Sequence, residues 1–524
     1  DLIRVAGTCT GLQEREEVSQ TLYLDADLSV QGGYTATNWT AGPAPGIYTT
    51  TLSAEGGGRV VYVTYDADIT LDGLLIADGV NVGEEGGAGG AGIYSEGVLT
   101  LTQSTIKGNW SDYAGGGIYN AGTMVITGTT VVSNGADSYG GAIYTGGPVS
   151  VTLTTFAQNG TFGDGGALYA TDVPVNVTRS IFRNNRADQA GGAFSAEYCE
   201  VAMVNTLFYS NTATTGAAVR LLDTTSSLTN VTLHDNVASA TGGGIYNVSG
   251  ALTMTHGLLW GNHDGNDPAT AQIAHGGDGS MTVTYSLVEG ALLTGIGNLN
   301  TDPRFVDADH GDLRLLGDSP ALDAGDDASC PADDLRGQPR DDWRCDIGAY
   351  EVRLEDTPVV TKTIPTAGTY TFGPTLAHVV VTDTGGCLTG LQVARVDSDH
   401  PAATELLKSG RYWILTPQPS GCSTGFDVAL TLPAPDPGEE NELCRYDGET
   451  WDCAASGFAT SVLGSGLGTV VRDHVTAFSD WTVGGSTTTA VRYVGARGRQ
   501  PVIWGLATVL VALAAWVCLN RSTD

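Results

Sequence analysis

The sequence predicts an all-β chain whose larger part is a stacked parallel β-solenoid, and three observations carry that prediction. A glycine-pair motif ending in an aliphatic or aromatic residue returns at Ile93, Ile118, Ile143, Leu168, Phe194, Val219 and Ile245, in steps of 25, 25, 25, 26, 25 and 26 residues. A second ladder keeps step with it, at Asn109, Asn134, Asn159, Asn185, Asn211, Asn236 and Asn262, each with an apolar residue three positions before it (Ile106, Val131, Phe156, Phe182, Phe208, Leu233, Leu259). Between the ladders lie short alternating runs such as "VLTLT" at 98–102, "TMVITG" at 123–128 and "VSVTL" at 149–153, with no helical period. Each unit therefore holds about three short strands.

A strand-rich unit of this length cannot bury its own apolar face, so neighbouring units must stack to do so. Stacked coils sit about 4.8 Å apart, the ordinary interstrand distance, which places equivalent side chains directly above one another. The apolar ladder then fills the interior. The ladder asparagines are expected at a corner, in the left-handed conformation, with each amide bonded to the next coil. The glycine pairs are expected where a sharp turn brings backbones too close for a side chain.

Composition narrows the classes of protein that fit. A chain of 524 residues, 41% hydrophobic, can bury more than one core. Its 24 Lys+Arg against 58 Asp+Glu give a formal charge of −34, and lysine occurs only at Lys107, Lys362 and Lys408. Such a surface repels phosphate backbones, which argues against nucleic acid as a partner. The 73 glycines follow no three-residue period, which excludes collagen.

At the level of motifs, "FAQN" (156–159), "FRNN" (182–185) and "FYSN" (208–211), paired with "GGAI" (140–143), resemble the repeat of polymorphic outer membrane proteins and related right-handed parallel β-helix surface proteins. "DPRFVDADHGDLRLLGDSPALDAG" at 302–325, "DLRGQPR" at 334–340 and "CDIGAYE" at 345–351 are similar to the closing segment of bacterial surface proteins of the choice-of-anchor Q type, and "TLYLDADLSVQGGYTATNW" at 21–39 resembles their opening coil. The resemblance implies a right-handed parallel β-helix of about 25-residue coils over residues 1–352, closed by an irregular cap at 302–352. It implies no particular activity.

Residues 357–484 break the rhythm. Runs such as "GRYWIL", "FDVALTLP", "ELCRYDGETWDC" and "VTAFSDWTV", separated by Pro, Gly and Asp turns, suit a β-sandwich module. Residues 485–501 read as a linker. "VIWGLATVLVALAAWVCL" at 502–519 is an uncharged apolar run with Trp504 and Trp516 near its ends, which predicts a single C-terminal transmembrane helix and so a membrane as partner. The pairs Cys330 with Cys345, Cys387 with Cys422 and Cys444 with Cys453 suit disulfides and an extracytoplasmic body. Asn-x-Ser/Thr triplets at Asn38, Asn109, Asn159, Asn176, Asn230 and Asn247 are candidate glycosylation sites. The chain opens on Asp1 with no apolar stretch behind it, so a signal peptide is expected to have been removed.

No catalytic constellation stands out. Polysaccharide lyases and glycoside hydrolases need paired carboxylates, or a cation cluster facing a base, on one outer face. The nearest group is Arg179, Arg183, Arg186 and Asp188 with Glu197 in the next coil, which reads as a solvated charged edge. Asp112, Asp137 and Asp188 each follow a ladder Asn by three positions, a stripe that Phe162 and Thr214 interrupt. Stacked carboxylates recruit Ca²⁺ when enough oxygens converge, but the nonapeptide calcium signature is absent. The cap residues Asp302, Asp307, Asp309, Asp312, Asp318 and Asp323 read as turn formers, and His234, His256, His263 and His275 fall at different coil positions.

Two classes of function follow. The first is a non-enzymatic structural or adhesive surface protein that presents a repeated face to a protein, a glycan or another copy of itself, standing alone or as an accessory subunit of a membrane complex. The second is a carbohydrate-active β-helix enzyme. The short segments between Asn and Gly-Gly leave no wall for a deep substrate groove, which favours the first.

Overall fold

The computed structural model describes residues 1–15, 18–40, 42–82, 89–265, 268–290, 293–316, 319–340 and 345–352, and interrupted stretches between 360 and 485. The apolar run at 502–519 and the expected linker beyond Gly485 lie outside the described residues. Among the described residues no helix is long and apolar enough to cross a membrane. The chain divides into two compact units, one of Asp1–Arg353 and one that begins at Leu354.

The first unit is a parallel β-solenoid. Three sheets of eleven strands run its length, beside a fourth of seven. One coil shows the order: Ile93–Ser95 in the Gly-Gly sheet, Val98–Thr102 in the alternating sheet, Thr105–Lys107 in the ladder sheet and Trp110–Ser111 in the short sheet. Register follows the sequence rhythm, since Ile93 pairs with Ile118, Ile118 with Ile143, Ile143 with Leu168, Leu168 with Phe194, Phe194 with Val219 and Val219 with Ile245. In the alternating sheet Leu99 and Leu101 point inward and Thr100 outward, as period-two strands dictate. Inside the ladder sheet, Phe156, Phe182 and Phe208 stack with ring centroids 4.6 and 4.8 Å apart, fully buried. One cluster of buried apolar residues extends from Val5 to Val288.

The corners correct one expectation. The left-handed residue is not the ladder Asn but the one before it: Gly108, Ser133, Gln158, Asn184, Ser210, Asp235 and Gly261 all have φ between 51° and 68°. Turning there aims the following Asn inward, where its amide is needed for bonds along the stack. A second left-handed column, containing Arg179, Asn205, Asn230 and His256, turns the chain from the alternating to the ladder sheet. At the glycine pair both demands of the motif are visible. Gly140 has φ +57°, and a Cβ on Gly141 would lie 2.2 Å from the carbonyl oxygen of Gly160.

The cap does not simply close the end of the solenoid; it folds back along the second left-handed column. Asn205 Nδ2 donates to the Asp333 carbonyl (2.6 Å), Asn230 Nδ2 to the carbonyls of Asp346 and Gly348 (3.0 Å each), and the Asp326 N–H to His256 Nε2 (2.8 Å). The "DLRGQPR" and "CDIGAYE" motifs meet through a buried ion pair, Arg340 Nη1 to Glu351 Oε2 at 2.5 Å. Asp346, also buried, accepts the N–H groups of Asp323 and Val352, and burial pushes its carboxyl up. The disulfide Cys330–Cys345, with Cα atoms 5.8 Å apart, ties the cap's two halves.

In the second unit the described strands form one six-stranded and one five-stranded antiparallel sheet. A single buried cluster draws on both, with Leu391, Val393 and Trp413 from one and Val379, Val428 and Leu430 from the other. A disulfide joins Cys387 and Cys422 (Cα atoms 5.6 Å apart), and Cys444 faces Cys453 in register on neighbouring strands. The side chains of Cys444 and Cys453 lie outside what is described.

Candidate functional site

The ladder asparagines are structural. Asn134 shows the pattern: its Nδ2 donates to Asn159 Oδ1 (3.1 Å) and back to the Ile106 carbonyl (3.0 Å), while its Oδ1 accepts the N–H and Nδ2 of Asn109 (3.1 and 2.9 Å). The same bonds recur through Asn159, Asn185, Asn211 and Asn236 to Asn262. Every amide in the column is buried and spent on the stack. This burial bears on the glycosylation triplets as well. Asn109, Asn159, Asn230 and Asn247 are all buried, and of the six only Asn38 and Asn176 are exposed to a glycan in the folded chain.

Chemistry on the outside gathers on the flank where the short sheet meets the Gly-Gly sheet. Trp110 pairs in register with Gly135, and Gly135 with Gly160. The indole lies on the next coil: a Cβ on Gly135 would fall 2.4 Å from ring atoms Cε3 and Cζ3. Glycine at that position lets the ring lie on backbone. The Phe162 ring meets the indole edge-on at 6.1 Å, and Tyr113 meets Tyr139 edge-on at 6.5 Å. Trp110, Tyr113 and Phe162 are 38%, 47% and 60% exposed, so these aromatic rings on the flank are open to water.

The acidic stripe runs through the same flank. The N–H groups of Asp112, Asp137, Phe162 and Asp188 donate in turn to the carbonyls of Asn81, Ser111, Ala136 and Thr161, which makes the four residues one column. Asp112 also accepts from the indole Nε1 of Trp110 (3.4 Å). Partial burial, and then the Asp112 carboxylate, raise the Asp137 pKa. Phe162 separates Asp188 from the other two. Among the described residues no group of three His, Cys, Asp or Glu is placed to hold a metal ion.

Beside this surface, on the outer face of the Gly-Gly sheet, Tyr23, Tyr62, Tyr94, Tyr119, Tyr144 and Tyr169 stack with centroids 5.3, 5.2, 5.1, 4.7 and 5.7 Å apart. The Arg15 guanidinium lies 4.9 Å from the Tyr23 ring, and that of Arg59 4.6 Å from Tyr94. These rings cover one another's faces, so the ladder shows edges and hydroxyls to solvent. Burial raises the phenols of Tyr62, Tyr94, Tyr119, Tyr144 and Tyr169, that of Tyr144 to about 12.

Below the ladder a hollow of about 470 Å³ is lined by Asp164, Asp188, Gln189, Arg220 and Tyr246, among others. Arg220 Nη1 pairs with Glu197 Oε1 and stands 3.8 Å from Asp164 Oδ2. Burial raises the Asp164 carboxyl, against the lowering effect of Arg220 and of the Ala190 N–H. The expected group of Arg179, Arg183, Arg186, Asp188 and Glu197 is therefore divided. Arg186 pairs with Asp188 (2.9 Å), Glu197 with Arg220, and Arg179 reaches the Leu335 carbonyl of the cap (3.5 Å), while Arg183 ends the strand Ile181–Arg183.

Sequence reasoning missed Trp110, Phe162, Asp164 and Arg220. The tyrosine repeat was visible in the "GIY", "AIY" and "ALY" that follow the glycine pairs. A scan of protein-family models finds no match to this chain, and searches of curated proteins and of solved structures find none either. The first unit is thus a β-solenoid by its sheet topology.

Proposed function

We propose that the chain is a bacterial extracytoplasmic surface protein of the right-handed, choice-of-anchor Q type, tethered to the membrane by residues 502–519 through a β-sandwich spacer. Its task in this reading is recognition, without chemistry, of a glycan, a protein or a second copy on the aromatic flank of the solenoid. One observation carries the reading: Trp110 lies on a glycine of the neighbouring coil and keeps 38% of its surface in water. The glycine seat holds the ring in place on the neighbouring coil while that surface stays free. The cap contacts Asn205, Asn230 and His256 on another corner and leaves this flank open.

The test is retention on washed cell-envelope material. The parent is expected to be retained and the double variant Trp110→Ala/Phe162→Ala released, with the far-UV circular dichroism of the folded parent kept. Equal retention of the two removes the flank as the recognition surface. A second reading, a carbohydrate-active enzyme, is favoured by Asp164 and Glu197 converging on Arg220 at the edge of the hollow. Release of reducing ends from a polysaccharide by the parent, lost in Asp164→Asn, would establish it in place of the first.

A further inference from the structure

We infer that the ligand of this flank is a neutral polysaccharide, with a sugar ring seated on Trp110 and its hydroxyls received by Asp112 and Asp137. The inference rests on the flank being the recognition surface. It goes on to choose among the glycan, protein and self partners which that reading leaves open.

Three features favour the glycan. A pyranose offers a flat face of C–H groups flanked by hydroxyls, and an aromatic ring with a free face takes the first while adjacent acceptors take the second. Trp110 supplies such a face, seated on Gly135, and Asp112 lies within hydrogen-bond reach of the same indole through Nε1 (3.4 Å). Asp137 follows one coil on in the same column, close enough for the Asp112 carboxylate to add to the effect of burial in raising its carboxyl. The pair sets two charged acceptors beside the ring, and Phe162 extends the apolar strip past them.

The other occupants fit less well. A stable protein interface covers about 800 Å² on each side, and an aromatic strip of three exposed residues edged by carboxylates falls well short of an apolar centre for one. A second copy brings its own charge of −34 to a face that is itself acidic, and the two repel. The same repulsion disfavours uronate-rich or sulfated glycans. The short sheet also offers no edge for strand addition at these residues, because Trp110 and Gly135 are already paired within the stack.

The experiment is affinity electrophoresis of the full chain in native gels containing a β-glucan, a galactomannan or a xylan, with alginate as the anionic comparison. The expected result is retardation by at least one neutral polymer and none by alginate. Trp110→Ala should weaken that retardation roughly tenfold or more, and Asp137→Asn by a few-fold, with both variants folded by far-UV circular dichroism at the temperature of the gel. Retardation by alginate alone, by no polymer, or equally in Trp110→Ala overturns the inference. If no neutral polymer retards the parent while Trp110→Ala/Phe162→Ala still abolishes retention on envelope material, the flank remains the recognition surface and the ligand class is wrong. If both effects are missing, both proposals fall.

Discussion

Replacing Asn159 by Leu should destabilise the whole solenoid, and the structure gives the size of the effect. The Asn159 side chain takes part in four bonds: Nδ2 donates to the Val131 carbonyl (2.9 Å) and Asn185 Oδ1 (3.0 Å), and Oδ1 accepts the N–H and Nδ2 of Asn134 (3.0 and 3.1 Å). Leucine branches at the same atom and is larger, but returns none of them. Asn134 Nδ2 keeps its bonds to the carbonyls of Ile106 and Val132, but its buried N–H loses the side-chain acceptor it had. An orphaned buried donor costs about 1–3 kcal/mol, and each of the three further lost bonds about 1 kcal/mol, for a total of roughly 4–6 kcal/mol. A unit of this size has an unfolding entropy of roughly 0.7 kcal/mol/K, so the midpoint should fall by about 6–8 °C. Far-UV circular dichroism on heating measures it, with Asn176→Leu as control because Asn176 points outward into solvent. A midpoint for Asn159→Leu within a degree of the parent would refute the stacked-amide account.

Three further outcomes follow from the corners and the cap. Burial first, and then Arg340, hold the His256 imidazole down to about 4, below the ordinary 6.5, so at low pH the unfolded chain takes a proton that the folded one refuses. Stability from this group is therefore steady above about pH 6.5 and declines by roughly 3 kcal/mol as pH falls toward 4, a slope that denaturant titrations should show and His256→Gln should flatten. Arg340→Met removes the countercharge of the Glu351 carboxylate, whose side chain is 1% exposed, and should cost about 3–5 kcal/mol, read as faster proteolysis within 302–352. Gly141→Ala drives a Cβ against the Gly160 carbonyl and should lower the unfolding midpoint, whereas Gly146→Ala, with nothing nearer than 3.9 Å, should leave it unchanged.

Coil length, strand positions and interior columns were readable because repetition averages out local ambiguity: one step of 25 or 26 residues fixes the register of every pair from Ile93 to Ile245. The left-handed residue at the Asn corner was misplaced for the opposite reason. Gly108, Ser133, Gln158, Asn184, Ser210, Asp235 and Gly261 share a backbone conformation but no side-chain type, so the eye goes to the invariant Asn beside them. The cap motifs were visible, but their docking on Asn205, Asn230 and His256 is made by contacts more than 60 residues apart that no local pattern announces. The aromatic flank escaped because it breaks the repeat. Trp110 and Phe162 each occur once in their columns, and Gly135 looks like one more turn glycine until an indole is found lying on it. Asp112 and Asp137 were picked out as a stripe, yet their meaning changes once that ring is beside them.

Hydroxyl-radical footprinting of the full chain, with and without washed cell-envelope material, tests the central claim most directly. Trp110, Tyr113 and Phe162 are exposed on the flank, whereas Tyr65 and Tyr198, 78% and 57% exposed, sit at turns that lead from the Gly-Gly sheet into the alternating sheet. The account predicts that oxidation of Trp110, Tyr113 and Phe162 falls on binding while that of Tyr65 and Tyr198 does not change. Protection confined to Tyr65 and Tyr198, or protection at none of the five, would contradict it.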